Sequence, residues 1–184
     1  MSLEFKGNTE ILTLGVEMEV QLLDANHLCL IPKAPEILQL LEHPRLVKEM
    51  FRSTLEVITG ICKDVHQVSR DLSETMSLVR SIGPQLNIVY AGTGTNPIGK
   101  YDERILTTTL RYQELLERNQ WLIKRMAVYG LHVHIGMASG DETIRFTNFF
   151  LQFIPHLIAL SASSPYWMGM DTGLMASRPT IYES

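Results

Sequence analysis

The chain has 184 residues, of which 45% are apolar, 20% charged and 8% aromatic. That is enough for one well-buried core and too little for two full-sized domains, and it excludes collagen-like, low-complexity and disordered classes. With 16 basic against 20 acidic residues and a net charge of −4, no basic stripe exists to neutralise a nucleic-acid backbone, which argues against nucleic-acid binding.

Met1–Lys6 lacks the apolar run of a signal peptide. Thr13 to Leu23 alternates apolar Leu14, Val16, Met18, Val20 and Leu22 with polar or small residues. Period two over this length predicts a strand with one buried face. Asp24-Ala25-Asn26 is a turn signal, and His27 to Pro32 is expected to return as a second short strand. Pro35 to Met50 reads as helix interrupted at Pro44, and Ser53 to Cys62 as strand. Val65, Val68, Leu72, Met76, Val79 and Ile82 recur at spacings of three and four. This predicts an amphipathic helix over 63–82, ending near Gly83-Pro84.

Leu86 to Ala91 is a short strand running into the glycine-rich Gly92 to Pro97. Asp102 to Ala127 has a long helical pattern, with Leu106, Leu110, Leu115, Leu122 and Met126 as core candidates. Leu131 to Met137 is again a period-two strand, and Asp141 is placed to cap a helix through Ser161 that Pro155 kinks. That apolar stretch, Ile144 to Ala162, is interrupted by Arg145, Asn148, Gln152, Pro155 and His156, so no membrane span is expected. The segment from Ser163 onward is turn-rich and aromatic. Interspersed strands and helices with one-sided strands favour α+β, with an open or curved antiparallel sheet. Cys29 and Cys62 have no CxxC spacing and read as idle thiols of a soluble, cytoplasmic protein.

Several residues could carry chemistry. Glu17 and Glu19 lie two apart on one strand and share a face. Two like charges there suit a Mg²⁺ or Mn²⁺ site, or else a solvated outer face. His132 and His134 repeat that geometry and could ligate metal, bind phosphate, act as acid and base, or be ordinary surface histidines. Glu56, between Leu55 and Val57, could join the glutamates across strands. Gly92 to Pro97 lacks both phosphate-loop patterns and reads as a turn. Arg178 could hold a substrate carboxylate in a two-pronged hydrogen bond, or be a plain surface arginine.

Taken in order, Gly15-Val16-Glu17-Met18-Glu19, Leu55-Glu56-Val57-Ile58-Thr59-Gly60 and Gly130-Leu131-His132-Val133-His134-Ile135-Gly136 resemble the carboxylate–amine ligases of the glutamate–cysteine ligase type 2 family. So do Leu160 to Trp167, Gly169, Asp171-Thr172-Gly173, Ser177-Arg178 and the pair Arg111-Tyr112. The resemblance implies a glutamine-synthetase-like catalytic sheet, with residues 1–184 a single domain forming the N-terminal half of the catalytic domain. It implies ATP and Mg²⁺ (or Mn²⁺), glutamate and an amine as substrates, and an amide formed through an acyl phosphate, as in glutathione biosynthesis. By resemblance Glu17, Glu19 and Glu56 are metal ligands, and Glu17 and His132 catalytic. His132 and His134 would lie by the nucleotide, and Arg178, Arg111 and Tyr112 by the substrate. The family's Gly-Thr-His-Pro appears here as Gly94-Thr95-Asn96-Pro97, so any role of that histidine is lost or changed. The chain ends about halfway along the length the resemblance implies. A longer parent or a second chain would supply the rest, and the exposed sheet edge would favour a homodimer or higher oligomer. Two rival readings are a non-catalytic fragment that binds metal or nucleotide and self-assembles, and a zinc hydrolase built on His132, His134 and the glutamates.

Overall fold

A computed structural model describes residues 5, 7, 12–100 and 105–182. The readings of Met1–Lys6 and of a helix start at Asp102 fall largely outside the described residues. In chain order the elements are β1 (Leu14–Asp24), α1 (Ala34–Leu41), β2 (Leu46–Lys48), β3 (Thr54–Ile58), α2 (Val65–Leu86), β4 (Ile88–Ala91), α3 (Leu110–Asn119) and α4 (Trp121–Arg125). They continue with β5 (Leu131–Ile135), α5 (Gly140–Phe150), a 3₁₀ turn at Leu151–Phe153, α6 (Ile154–Leu160), β6 (Tyr166–Trp167), β7 (Met170–Asp171) and α7 (Arg178–Tyr182). The expected α+β class with an antiparallel open sheet is what forms.

β1 is the spine of the sheet. β3 pairs along one side of it, and β4 and β5 share the other side, β4 against Gln21–Asp24 and β5 against Leu14–Met18. β2 lies outside β3, and all these pairings are antiparallel. The alternation seen in the sequence explains the core. Val20 and Leu22 face the same side as Leu55, Val57, Leu46 and Ile88, and Met76 and Val79 of α2 close over them. Leu22, Leu55, Val57 and Val79 are fully inaccessible. α2 starts where it does because the Asp64 side chain accepts from Gln67 N–H at 2.8 Å, satisfying an otherwise orphaned donor of the first turn.

Five expectations change. His27 to Pro32 forms no strand: Leu28 is left-handed and only a single bridge, Leu23 to Leu30, touches β1. Downstream of Pro44 the chain is strand β2 rather than helix, since α1 has already ended on left-handed Glu42. α2 runs through Gly83-Pro84 to Leu86, because a proline in the last turn removes only one intrahelical bond, and left-handed Asn87 caps the end. The long helix expected over 102–127 is two short ones, broken at Gln120, whose φ is 47°. Of its core candidates none is buried; Ile123 and Ala127 are the described residues of this span that pack inside. Finally, Ser139, not Asp141, caps α5 by accepting from Glu142 N–H.

β5 carries the expected alternation but not the expected cover. Leu131 and Val133 lie on the apolar face of the sheet at 62% and 56% exposure, and no residue of α5 or α6 is buried. Among the described residues no helix is long and apolar enough to cross a membrane.

Candidate functional site

The polar side of β1 gathers the residues singled out in the sequence. Glu19 sits directly opposite Glu56 of β3, and Glu17 directly opposite His132 of β5. His134, one step along β5, opposes Gly15 and can therefore lean across toward Glu17. His132 Nδ1 lies 3.1 Å from Glu17 Oε2, and His134 Nε2 lies 3.1 Å from Glu17 Oε1. One carboxylate thus holds both imidazoles. Glu19 Oε2 accepts the backbone N–H of Gly130 at 2.7 Å, just before β5 begins.

The electrostatics follow from crowding like charges on one face. Burial pushes the Glu56 carboxyl up to about 7, and the carboxylates of Glu49, Glu17 and Glu19 push the same way. Burial also raises Glu19, against the lowering by the Gly130 N–H. For Glu17 burial acts upward, but the bonds to His132 and His134 outweigh it and leave the group below its ordinary value. Glu49 is the residue that sequence reading missed. It immediately follows β2, the strand paired with Glu56's own. It lay in a stretch read as helix; taking Pro44 as a helix end would have left Glu49 at the end of a strand beside that of Glu56.

A stability consequence has a definite sign. Glu56 has an ordinary value of 4.5 in the unfolded chain and about 7 when folded. The folded state therefore keeps its proton longer, and the associated stability is present below pH ~4.5 and lost as pH rises toward ~7. Glu17, shifted the other way, acts in the opposite sense at more acid pH. Urea midpoints of the metal-free chain are expected to fall across pH 4.5–7, and Glu56→Gln to flatten that fall. Parallel profiles for the two proteins would overturn the assignment.

The remaining candidates are distributed unevenly. Arg178, the first residue of α7, is drawn to the site: its Nη2 approaches Gly130, and its charge acts on Glu19. Its backbone N–H is held by Ser164 Oγ at 3.0 Å. Tyr112 of α3 lies near the carboxylates: burial raises the pKa of its hydroxyl, and the charges of Glu49 and Glu56 push the same way. Arg111 is exposed, with its guanidinium 5.9 Å from the Tyr112 ring centroid. Within the Gly92 to Pro97 turn, Thr95 and Asn96 are buried and act as a brace. Asn96 donates to Gln21 Oε1 at 2.8 Å and its own oxygen accepts from Gly99 N–H at 2.6 Å. Thr95 Oγ1 donates to Tyr166 O at 2.9 Å, tying the C-terminal segment to the sheet. Asn96 is thus committed to internal bonds.

The donors fit a hard divalent cation in kind: carboxylate oxygens on one accessible face, with imidazoles at its end. Among the described residues, no group of three or more His, Cys, Asp or Glu side chains stands close enough together to hold a metal ion by itself. Mg²⁺ is ordinarily held by one or two carboxylates, waters and substrate phosphates rather than by a protein cage, so an open row of carboxylates is compatible with it.

The sequence model of glutamate–cysteine ligase family 2 (GCS2) matches residues 13–184. A Gloeobacter violaceus protein named as a glutamate–cysteine ligase 2 is 43% identical over 100% of this chain and 50% of its own length. A Bdellovibrio bacteriovorus protein of the same name is 43% identical over 97% of this chain and 48% of its own. One from Thermobifida fusca is 39% identical, over 99% and 47%. The chain spans about half the length of these relatives.

Proposed function

Because the chain belongs to glutamate–cysteine ligase family 2, we propose that its carboxylate–imidazole face is part of an ATP-dependent carboxylate–amine ligase site. The observation that carries this reading is the row of Glu17, Glu19 and Glu56, joined by Glu49, whose mutual repulsion calls for a cation. The substrates are glutamate and an amine, and residues 1–184 form half of a glutamine-synthetase-like catalytic domain working in the cytoplasm.

A carboxylate is a poor electrophile. Its oxygen attacks the γ-phosphorus of ATP, ADP leaves, and the amine nitrogen then attacks the acyl carbon, losing a proton and expelling phosphate. When bound, Mg²⁺ or Mn²⁺ supplies the positive charge that lets a polyanionic nucleotide approach a carboxylate. Glu17, Glu19 and Glu56 would hold it. Glu17 also fixes both imidazoles, leaving His132 to face phosphate and His134 to shape the same wall. Arg178 is suited to pairing a substrate carboxylate with two parallel N–H bonds. Tyr112, near Glu49, and Arg111, against the Tyr112 ring, would line the substrate side.

Amine-dependent ADP release with glutamate and a panel of amines tests the reading, run on this chain and on a full-length relative. Release that requires divalent cation, glutamate and amine together is the expected result for the full-length protein. Absence of divalent-dependent ATP turnover with every amine, or zinc retained through dialysis, would overturn it; the latter would favour hydrolysis at His132 and His134.

A further inference from the structure

We propose that Gly130 is a positioning residue of this site, placed to let the Arg178 guanidinium and the His132 ring share the space over its Cα while its N–H fixes Glu19. The role rests on the ligase reading for its purpose but on geometry for its substance. Gly130 N–H donates to Glu19 Oε2 at 2.7 Å, and Gly130 O accepts from Glu19 N–H at 3.1 Å, so the two residues clasp each other by backbone and side chain. A Cβ built on Gly130 would lie 3.0 Å from Arg178 Nη2, 3.0 Å from His132 Nε2 and 3.4 Å from His132 Cδ2.

The backbone does not ask for glycine at this point. Among the described residues the left-handed glycines are Gly169 and Gly173, and Gly130 is not one of them. Its missing side chain therefore serves proximity rather than torsion. The atoms a methyl group would meet are the ends of two flexible side chains, so the fold can yield at little cost. What yields are the two groups whose placement the site needs. Displacing His132 also lengthens its 3.1 Å contact with Glu17, and so loosens the carboxylate that holds both imidazoles. Groups that orient metal-binding side chains from behind typically matter roughly 10-fold or more in affinity.

The test uses Gly130→Ala in the 184-residue chain, with Gly92→Ala as control, since a Cβ at Gly92 meets nothing within 4 Å. Gly130→Ala is expected to leave the melting temperature close to that of the parent chain and to move the His132 imidazole NMR cross-peak. Mn²⁺ affinity, read by water-proton relaxation, should weaken roughly 10-fold. Gly92→Ala should change none of these. Adding Gly130→Ala to Arg178→Lys, which replaces the forked guanidinium by a single ammonium, should produce a smaller His132 shift than Gly130→Ala alone. An unmoved His132 signal, or equal losses in both glycine variants, would overturn the proposal. Should the parent chain bind no Mn²⁺, the metal reading fails while the His132 signal still decides the role of Gly130.

Discussion

Replacing Glu17 or Glu19 by glutamine, at the matching positions of a full-length family member, is expected to lower amide-forming turnover by roughly 10²-fold or more. Glutamine keeps the shape and the hydrogen-bond acceptor but removes the charge. The Gly130 N–H that holds Glu19 Oε2 can be accepted by an amide oxygen, so the fold keeps its clasp. Glu17 loses its attraction to His132 and His134, but those groups are substantially exposed, and exposed pairs contribute little to stability. Burial already disfavours the Glu19 charge, so neutralising it leaves the apo fold no worse. Loss of function should therefore come without loss of melting temperature. Near-parental turnover in both variants would remove the cation-binding role; a large drop in melting temperature would recast the two glutamates as structural.

The second large effect lies on the opposite face of the same strands. Leu55→Ala is expected to destabilise the chain by about 2–5 kcal/mol, the range for deleting a buried leucine and leaving its cavity partly unfilled. Leu55 is wholly inaccessible and stands opposite Val20, within the cluster closed by α2. Val133→Ala, an apolar deletion on β5, should cost no more than about 0.5 kcal/mol, because surface changes away from special features stay near that size. Val133 is 56% exposed. Urea denaturation separates the two. Equal costs would mean that β5 is packed as tightly as β3 and that its apolar face has cover.

How much of this was legible beforehand depends on how local the deciding contact is. β1 and β5 could be read because strict alternation needs only a strand and one buried side. From the two alternations, Glu17 and Glu19 necessarily shared a face, as did His132 and His134. That the faces coincide, with Glu17 opposite His132, is set by a pairing across more than a hundred residues, which no spacing rule reaches. β2 escaped notice because three residues beside Pro44 have too little pattern to outvote a neighbouring helix. The break at Gln120 is equally silent in periodicity, since Asn119-Gln120 sits between two stretches that each read as helix. Glu49 was hidden by the first of these errors. The bare side of β5 could not be read at all, because alternation tells which residues are apolar and not whether anything covers them.

The spine position of β1 also dictates an order of assembly. Its link to the end of β3, through Val16 and Thr59, closes a span of 43 residues, whereas the link to β5, through Glu17 and His132, closes one of 115. Loop-closure entropy grows only logarithmically, so the longer closure costs about 1 kcal/mol more. The larger handicap is that β5 gains little buried apolar surface on docking, while β3 and α2 gain a core. Nucleation therefore belongs to β1, β3 and α2, and β5 joins a sheet that already exists. The carboxylates are assembled with the nucleus and the imidazoles arrive afterward. By the same ordering β5 is the first strand to open in native-state fluctuations, so the half of the site that holds the histidines comes and goes while the half that holds Glu19 and Glu56 persists.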